Sequence, residues 1–214
     1  MDSFSLELDR YQAVIFDMDG TLLDSSTAIR EVFHTWCQRH QLDLEQVLTM
    51  CHGSRVRDFL DQLAPHLDAD EEDGWLFAEE ARVTTGVVPI SGASEWLQRV
   101  SALNMPWGIA TSSNRSVALA RLNAANLPVP EVLITGDQVE QGKPHPQHFL
   151  LAAEKLGVNP ARCLAFEDSP NGILSAQSAG CDVIVIGESA HASAQAQQVV
   201  ARLRDYQPLL AAQA

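Results

Sequence analysis

Short apolar runs alternate along this chain with longer segments whose apolar residues recur at helical spacing. The runs are residues 11–16, 107–111, 132–135, 163–166 and 183–186, with Val199–Leu203 a candidate sixth. Strands alternating with helices predict an α/β fold: a parallel sheet covered by helices on both faces. Boundary signals mark the helices. Ser91-Gly92 opens Ala93–Ala102, Asn114 opens 115–125, and Ser169-Pro170 opens 171–179, which Gly180 closes.

One interval breaks the alternation. Between Asp24 and Pro89 no strand pattern occurs, only helical patterns at 27–40, 56–63 and 69–83. A strand-free block of that length reads as an inserted helical domain, with Asp24-Ser25 and the stretch from Gly86 to Pro89 as hinges. The expected division is a core of 1–24 and 89–214 and an insert of 25–88. The Ala/Gln-rich segment 190–201 reads as a solvated helix. There is no internal repeat.

Composition narrows the function. The 214 residues are 46% hydrophobic and 20% charged, which is ordinary for a globular chain. A net charge of −14 with no Lys/Arg stripe argues against nucleic acid. The apolar runs are too short to span a membrane, and the acidic N-terminus lacks a secretory signal, so a cytoplasmic protein is expected. Cys37, Cys51, Cys163 and Cys181 show no CxxC spacing and read as reduced thiols. Cys51-His52 and Cys37…His40 have no second matching pair that would make a zinc site. The oligomeric state is expected to be monomer or weak dimer.

The chemistry gathers where the apolar runs end, the side of an open α/β sheet on which ligands bind. The first run stops at Asp17-Met18-Asp19-Gly20-Thr21 and the second at Thr111-Ser112-Ser113-Asn114. The third leads to Gly142-Lys143-Pro144, and the fourth ends in Glu167-Asp168. Ionised carboxylates at the end of a buried strand are costly unless partnered. Asp17 and Asp168 can share a hard cation such as Mg²⁺, which takes one or two carboxylates plus waters and phosphate oxygens. A phosphate ester would meet the Thr111 hydroxyl, the Lys143 ammonium and main-chain N–H groups of the Met18–Gly20 turn and of Ser112. Asp17 needs no base to attack phosphorus, and Asp19 could protonate the leaving oxygen and later deprotonate water.

This four-part set resembles the haloacid dehalogenase superfamily, in its Mg²⁺-dependent phosphatase branch, with the motifs in the family's order and spacing. The resemblance implies a doubly wound, Rossmann-like core with a helical cap that closes over small sugar or polyol phosphates. It implies Asp17 as nucleophile, forming an aspartyl-phosphate, and Asp19 as general acid/base. Its metal set is Asp17, Asp168 and the backbone carbonyl of Asp19. His52-Gly53-Ser54-Arg55, followed by Arg57, looks like the cap loop of glycerol- and sugar-phosphate phosphatases, with His52 and Arg55 as substrate-binding candidates. A phosphomutase resembling β-phosphoglucomutase is the alternative. Such mutases commonly carry a histidine on the first cap helix, where this chain has Ile29. A catalytically silent binding protein on the same fold is the reading from another class. Dehalogenases proper need neither the second aspartate nor Mg²⁺, and P-type ATPases have membrane spans.

Blander roles are expected elsewhere. Asp24 reads as a hinge or cap residue, Thr21 as a support for the turn, and Asn171 as an ordinary first-turn helix residue. Glu167 either touches the metal through water or shapes the Asp168 loop. Arg115 reads as solvated, and His34, His40, His66, His145, His148 and His191 as surface or packing residues.

Overall fold

The computed structural model describes residues 6–187 and 199–211. The chain runs β1 (Ala13–Phe16), β2 (Leu23–Asp24), α1 (Ser26–His40), α2 (Leu44–Cys51), α3 (Leu60–Leu63), α4 (Ala69–Arg82), β3 (Val88–Pro89) and α5 (Ala93–Ala102). It continues through β4 (Trp107–Ala110), α6 (Arg115–Ala124), β5 (Val132–Ile134), α7 (Gln147–Leu156) and β6 (Cys163–Glu167). The last elements are α8 (Pro170–Ala179), β7 (Asp182–Ile186), β8 (Val199–Leu203) and α9 (Gln207–Ala211).

Six strands form one parallel sheet in the order β5-β4-β1-β6-β7-β8. Strand periodicity divides β1 between the two faces of the sheet. Val14 and Phe16 join one apolar cluster with Leu164, Phe166 and Trp96, whereas Ala13 and Ile15 join another with Ala165, Val183 and Phe149. Both faces are covered, so every residue of β1 is buried. Phe16, Phe166 and Tyr206 stack beneath the carboxyl end of β1, with ring centroids 4.9 Å apart for Phe16 and Phe166 and 5.6 Å for Phe166 and Tyr206.

Residues 26–82 contain helices only. α1 turns Ala28, Val32, Phe33 and Trp36 inward, and Trp36 Nε1 donates to the buried Glu72 of α4 at 2.6 Å. At the base of the insert β2 and β3 pair antiparallel, Leu23 with Pro89 and Asp24 with Val88. The Asp24 carboxylate accepts from Ser26 N at the start of α1.

Several expectations change. The 56–63 helix is split: Val56–Asp58 is a 3₁₀ turn and only Leu60–Leu63 is α-helical. A 3₁₀ turn brings i and i+3 together, and Arg55 meets Asp58 across it. The helices α2 and α7 were not expected. α2 is capped by Asp43, whose side chain accepts from Gln46 N. Of the predicted helix 190–201, the end at Val199 lies in strand β8, and residues up to 198, with His191, lie outside the described residues. All four cysteines are free thiols.

Candidate active site

β1 lies at the centre of the sheet, so its carboxyl end has a strand end on each side. Phe16 pairs with Ile109 and with Phe166, which brings Asp17 level with both neighbours, and its N–H donates to Phe166 O. Lys143 Nζ donates to Asp17 Oδ1 and to Glu167 Oε1, each at 2.6 Å, with all three side chains buried. Burial pushes the Asp17 carboxyl well above its usual range, and the lysine pulls the other way. Burial also opposes the charge on Lys143, yet the carboxylates of Asp17 and Glu167 outweigh it and hold the ammonium form.

Glu167 faces the loop that follows it. Its Oε2 accepts from Asp168 N, Ser169 N and Ser169 Oγ. Of the two roles expected for it, these bonds describe the second: Glu167 shapes the Asp168 loop. Asp168 Oδ1 accepts from Thr21 Oγ1 at 3.1 Å, so Thr21 ties the first strand's turn to the acid loop. Gly20 permits this approach. Its φ is +82°, and a Cβ there would lie 2.1 Å from Asp168 Oδ2. The same turn uses its Gly20 N–H on Leu23 O, so that group does not point to a phosphate as expected.

Asp17, Glu167 and Asp168 each offer an oxygen, all within 4.8 Å of one another. One lysine faces three carboxylates, a charge deficit that a divalent cation fits. Glu167 carries four donors, its lysine and three from the following loop, against one on Asp17 and two on Asp168, so Asp17 and Asp168 are the carboxylates better placed to hold such a cation.

Asp19 turns the other way, into the cleft. Its Oδ1 accepts from Ser25 Oγ at 2.6 Å and Arg121 Nη1 at 3.0 Å, and its Oδ2 from Ser113 Oγ at 2.9 Å. Arg121 is 2% exposed, and its Nη2 donates to Glu80 Oε1 on α4 at 2.7 Å. Burial opposes the Arg121 charge, but Asp19 and Glu80 together outweigh it. Arg121 and Glu80 were missed from sequence. A single arginine on an amphipathic helix, ten residues after Thr111, gives no sign that it points under the sheet's end.

The loop between α2 and Val56 docks on the core through four successive residues. His52 Nε2 lies 3.0 Å from Asp168 Oδ2, an interaction that raises the imidazole pKa. Gly53 O accepts from Ser112 Oγ at 3.0 Å, and Ser54 Oγ accepts from Asn171 Nδ2 at 2.8 Å. Asn171 therefore bridges core and insert, beyond the ordinary role expected of it. Gly53, at φ +75°, sits so close that a Cβ would meet Ser169 Oγ at 2.2 Å. The guanidinium of Arg55, expected to meet substrate, spends all five N–H groups elsewhere. It donates to both carboxylate oxygens of Asp58 and to the carbonyls of Gly136, Val139 and Glu140. Arg57 is turned away, onto Asp70 and Asp73.

Between the sheet's end and the insert lies a cleft of about 380 Å³. Asp17, Asp19, Thr111, Ser112 and Asp168 form its floor, and Ile29, Phe33, Leu48, Leu76 and Phe77 its apolar wall. Such a volume suits a small molecule. Lys143 lies beneath the floor, behind Asp17.

Residues 14–186 match the family model described as haloacid dehalogenase-like hydrolase. Hexitol phosphatase A of Escherichia coli is 38% identical over 188 residues, covering 85% of each chain. Glycerol-1-phosphate phosphohydrolase 1 of Saccharomyces cerevisiae is 31% identical over 83% of this chain and 75% of its own. A solved hydrolase from Pseudomonas syringae shares the fold with a TM-score of 0.80 at 24% identity, covering 94% of this chain and 96% of that one.

Proposed function

The chain belongs to the haloacid dehalogenase-like hydrolases, and from that premise we propose that it is a Mg²⁺-dependent, cytoplasmic phosphatase of small sugar or polyol phosphates. The observation that carries this reading is the buried group of Asp17, Lys143, Glu167 and Asp168 at the end of the central strand, with Asp19 two residues on and aimed into the cleft.

Asp17 and Asp168, with the backbone carbonyl of Asp19, would hold Mg²⁺, which when bound supplies positive charge to the transferring phosphoryl group. Asp17 attacks phosphorus, forming a P–O bond to its carboxylate as the bond to the leaving oxygen breaks. Asp19 gives that oxygen its proton. Asp19 then takes a proton from a water whose oxygen attacks the aspartyl-phosphate, releasing phosphate and restoring Asp17. Thr111 and the Ser112 main chain orient the phosphoryl oxygens, the demand that phosphoryl transfer chiefly makes, while Lys143, expected to meet the phosphate, instead holds the Asp17 carboxylate and adds positive charge from beneath it. Residues 25–88 act as the cap, and the apolar wall they supply excludes water once closed.

The phosphomutase alternative finds no matching side chain: Ile29, on α1, lines the cleft where such mutases carry a histidine. The decisive experiment is an initial-rate screen of phosphorylated metabolites with p-nitrophenyl phosphate as reference, with Mg²⁺ and with a chelator. Chelator-sensitive turnover supports the reading. Turnover of no phosphate ester, or lasting retention of a bisphosphate, defeats it.

A further inference from the structure

The cations that line the cleft are already committed. Arg30 places both terminal nitrogens on Glu45 Oε1, at 2.7 and 2.8 Å. Arg55 is spent on Asp58 and three main-chain carbonyls. Arg121 stands between Asp19 and Glu80. Among the described residues that line the cleft, these three are the arginines, and no lysine joins them.

Glu80 belongs to the last turn of α4, which packs on α6 of the core, and its side chain is 14% exposed on the cleft wall. One guanidinium separates it from Asp19. A leaving group whose ester oxygen reaches Asp19 therefore has Glu80 within reach on the same cleft wall. Five carboxylates, of Asp17, Asp19, Asp24, Glu80 and Asp168, line the cleft, and two of its three arginines are paired with acids outside that lining, Arg30 with Glu45 and Arg55 with Asp58. The cleft lining stays negative even when Asp19 holds its proton.

We propose that Glu80, clamped by Arg121, determines specificity: it admits an uncharged, polyhydroxylated leaving group and turns away one that carries a carboxylate or a second phosphate. The inference rests on the phosphatase reading and narrows it to monophosphates of neutral sugars and polyols. A hydroxyl can donate to the Glu80 carboxylate. An anion has no proton to give, and at close range to a poorly solvated carboxylate the repulsion prevails.

Glucitol 6-phosphate and 6-phosphogluconate test this, since they share a six-carbon chain and differ at the far end by CH₂OH against carboxylate. With Mg²⁺, kcat/KM should favour glucitol 6-phosphate by about 10–100-fold. Glu80→Gln should cut that ratio by about tenfold, Glu80→Asp should keep the preference, and added salt should shrink it in the wild type. A wild-type ratio near one overturns the proposal, as does an undiminished ratio in folded Glu80→Gln. If that variant does not fold, a wild-type ratio indifferent to salt overturns it. Hydrolysis of p-nitrophenyl phosphate with neither six-carbon ester turned over defeats this proposal alone. No turnover of any of the three defeats the phosphatase reading, and this inference with it.

Discussion

The two walls of the cleft are built by different means. On the sheet side, Asp17, Thr111 and Asp168 each follow directly on a buried strand, and Asp17 and Asp168 are held by hydrogen bonds to neighbouring strand ends and turns. On the insert side, the polar groups that bond to the core come from the hinge residue Ser25, from a loop, His52 to Arg55, and from Glu80 on α4. The loop grips mainly the main chain and hydroxyls of the core, partners that many loop sequences could use. A residue fixed by strand register has few alternatives, whereas a residue fixed by docking can be exchanged along with the surface it docks. The difference suits a division in which the sheet performs the reaction and the insert chooses the substrate.

Breaking the sheet side should give the largest effect. Asp17→Asn removes the attacking carboxylate and a cation ligand, and turnover should fall by roughly 10⁶ while circular dichroism stays native. Retention of a tenth of the activity would remove Asp17 from the nucleophile's role.

Arg55→Ala tests the insert side. Because its guanidinium straps the insert to the 136–140 loop, its loss should weaken closure and lower kcat/KM by about 10–100-fold, the scale of one or two charge-assisted hydrogen bonds. The loss should be equal for a polyol phosphate and p-nitrophenyl phosphate. A loss confined to the polyol ester would return Arg55 to direct substrate contact.

A third test lies behind the sheet side. His148 is buried, and burial, with the nearby Lys143 charge, lowers its pKa to about 3. The unfolded chain, with an ordinary histidine, binds the proton first as pH falls. His148 therefore withdraws stability on acidification below about 6.5, by about 2 kcal/mol at pH 5. Urea unfolding of His148→Leu should lose that part of the pH dependence, and an identical slope in wild type and variant would refute it.

The smallest effect belongs to the insert's outer surface. Gly74 lies within α4, and a Cβ there meets nothing within 4 Å. Gly74→Ala should raise stability by about 0.5–1 kcal/mol with activity unaltered. A lower Tm would show that α4 needs its glycine.

The sheet and its acids were legible for one physical reason. Runs such as Val14 to Phe16 are apolar at every position because both faces are buried, and an aspartate straight after such a run needs a partner. Asp17, Asp19, Lys143 and Asp168 stand out on that contrast. β2 and β3 could not be seen, since two residues establish no period. α2 was passed over although Asp43 caps it, because eight residues give barely two turns of pattern. Arg121 and Glu80 were hidden for a different reason. Each is a charged residue on a helix, the commonest surface pattern, and only the packing of α4 on α6 turns both inward. Arg55 was singled out correctly as unusual, but its partners are carbonyls of residues more than 80 positions away.

The pairing of Leu23 with Pro89 and of Asp24 with Val88 means that the insert leaves and re-enters the core side by side. Strands joined in this way can be bridged by a two-residue hairpin as readily as by sixty residues of helix. Lengthening such a loop costs little closure entropy. The junction therefore works as a socket. A helical module from a relative could be spliced between residues 24 and 88 without disturbing the register of the six-stranded sheet, and a change of diet could spread by transplantation while the reaction centre is inherited intact.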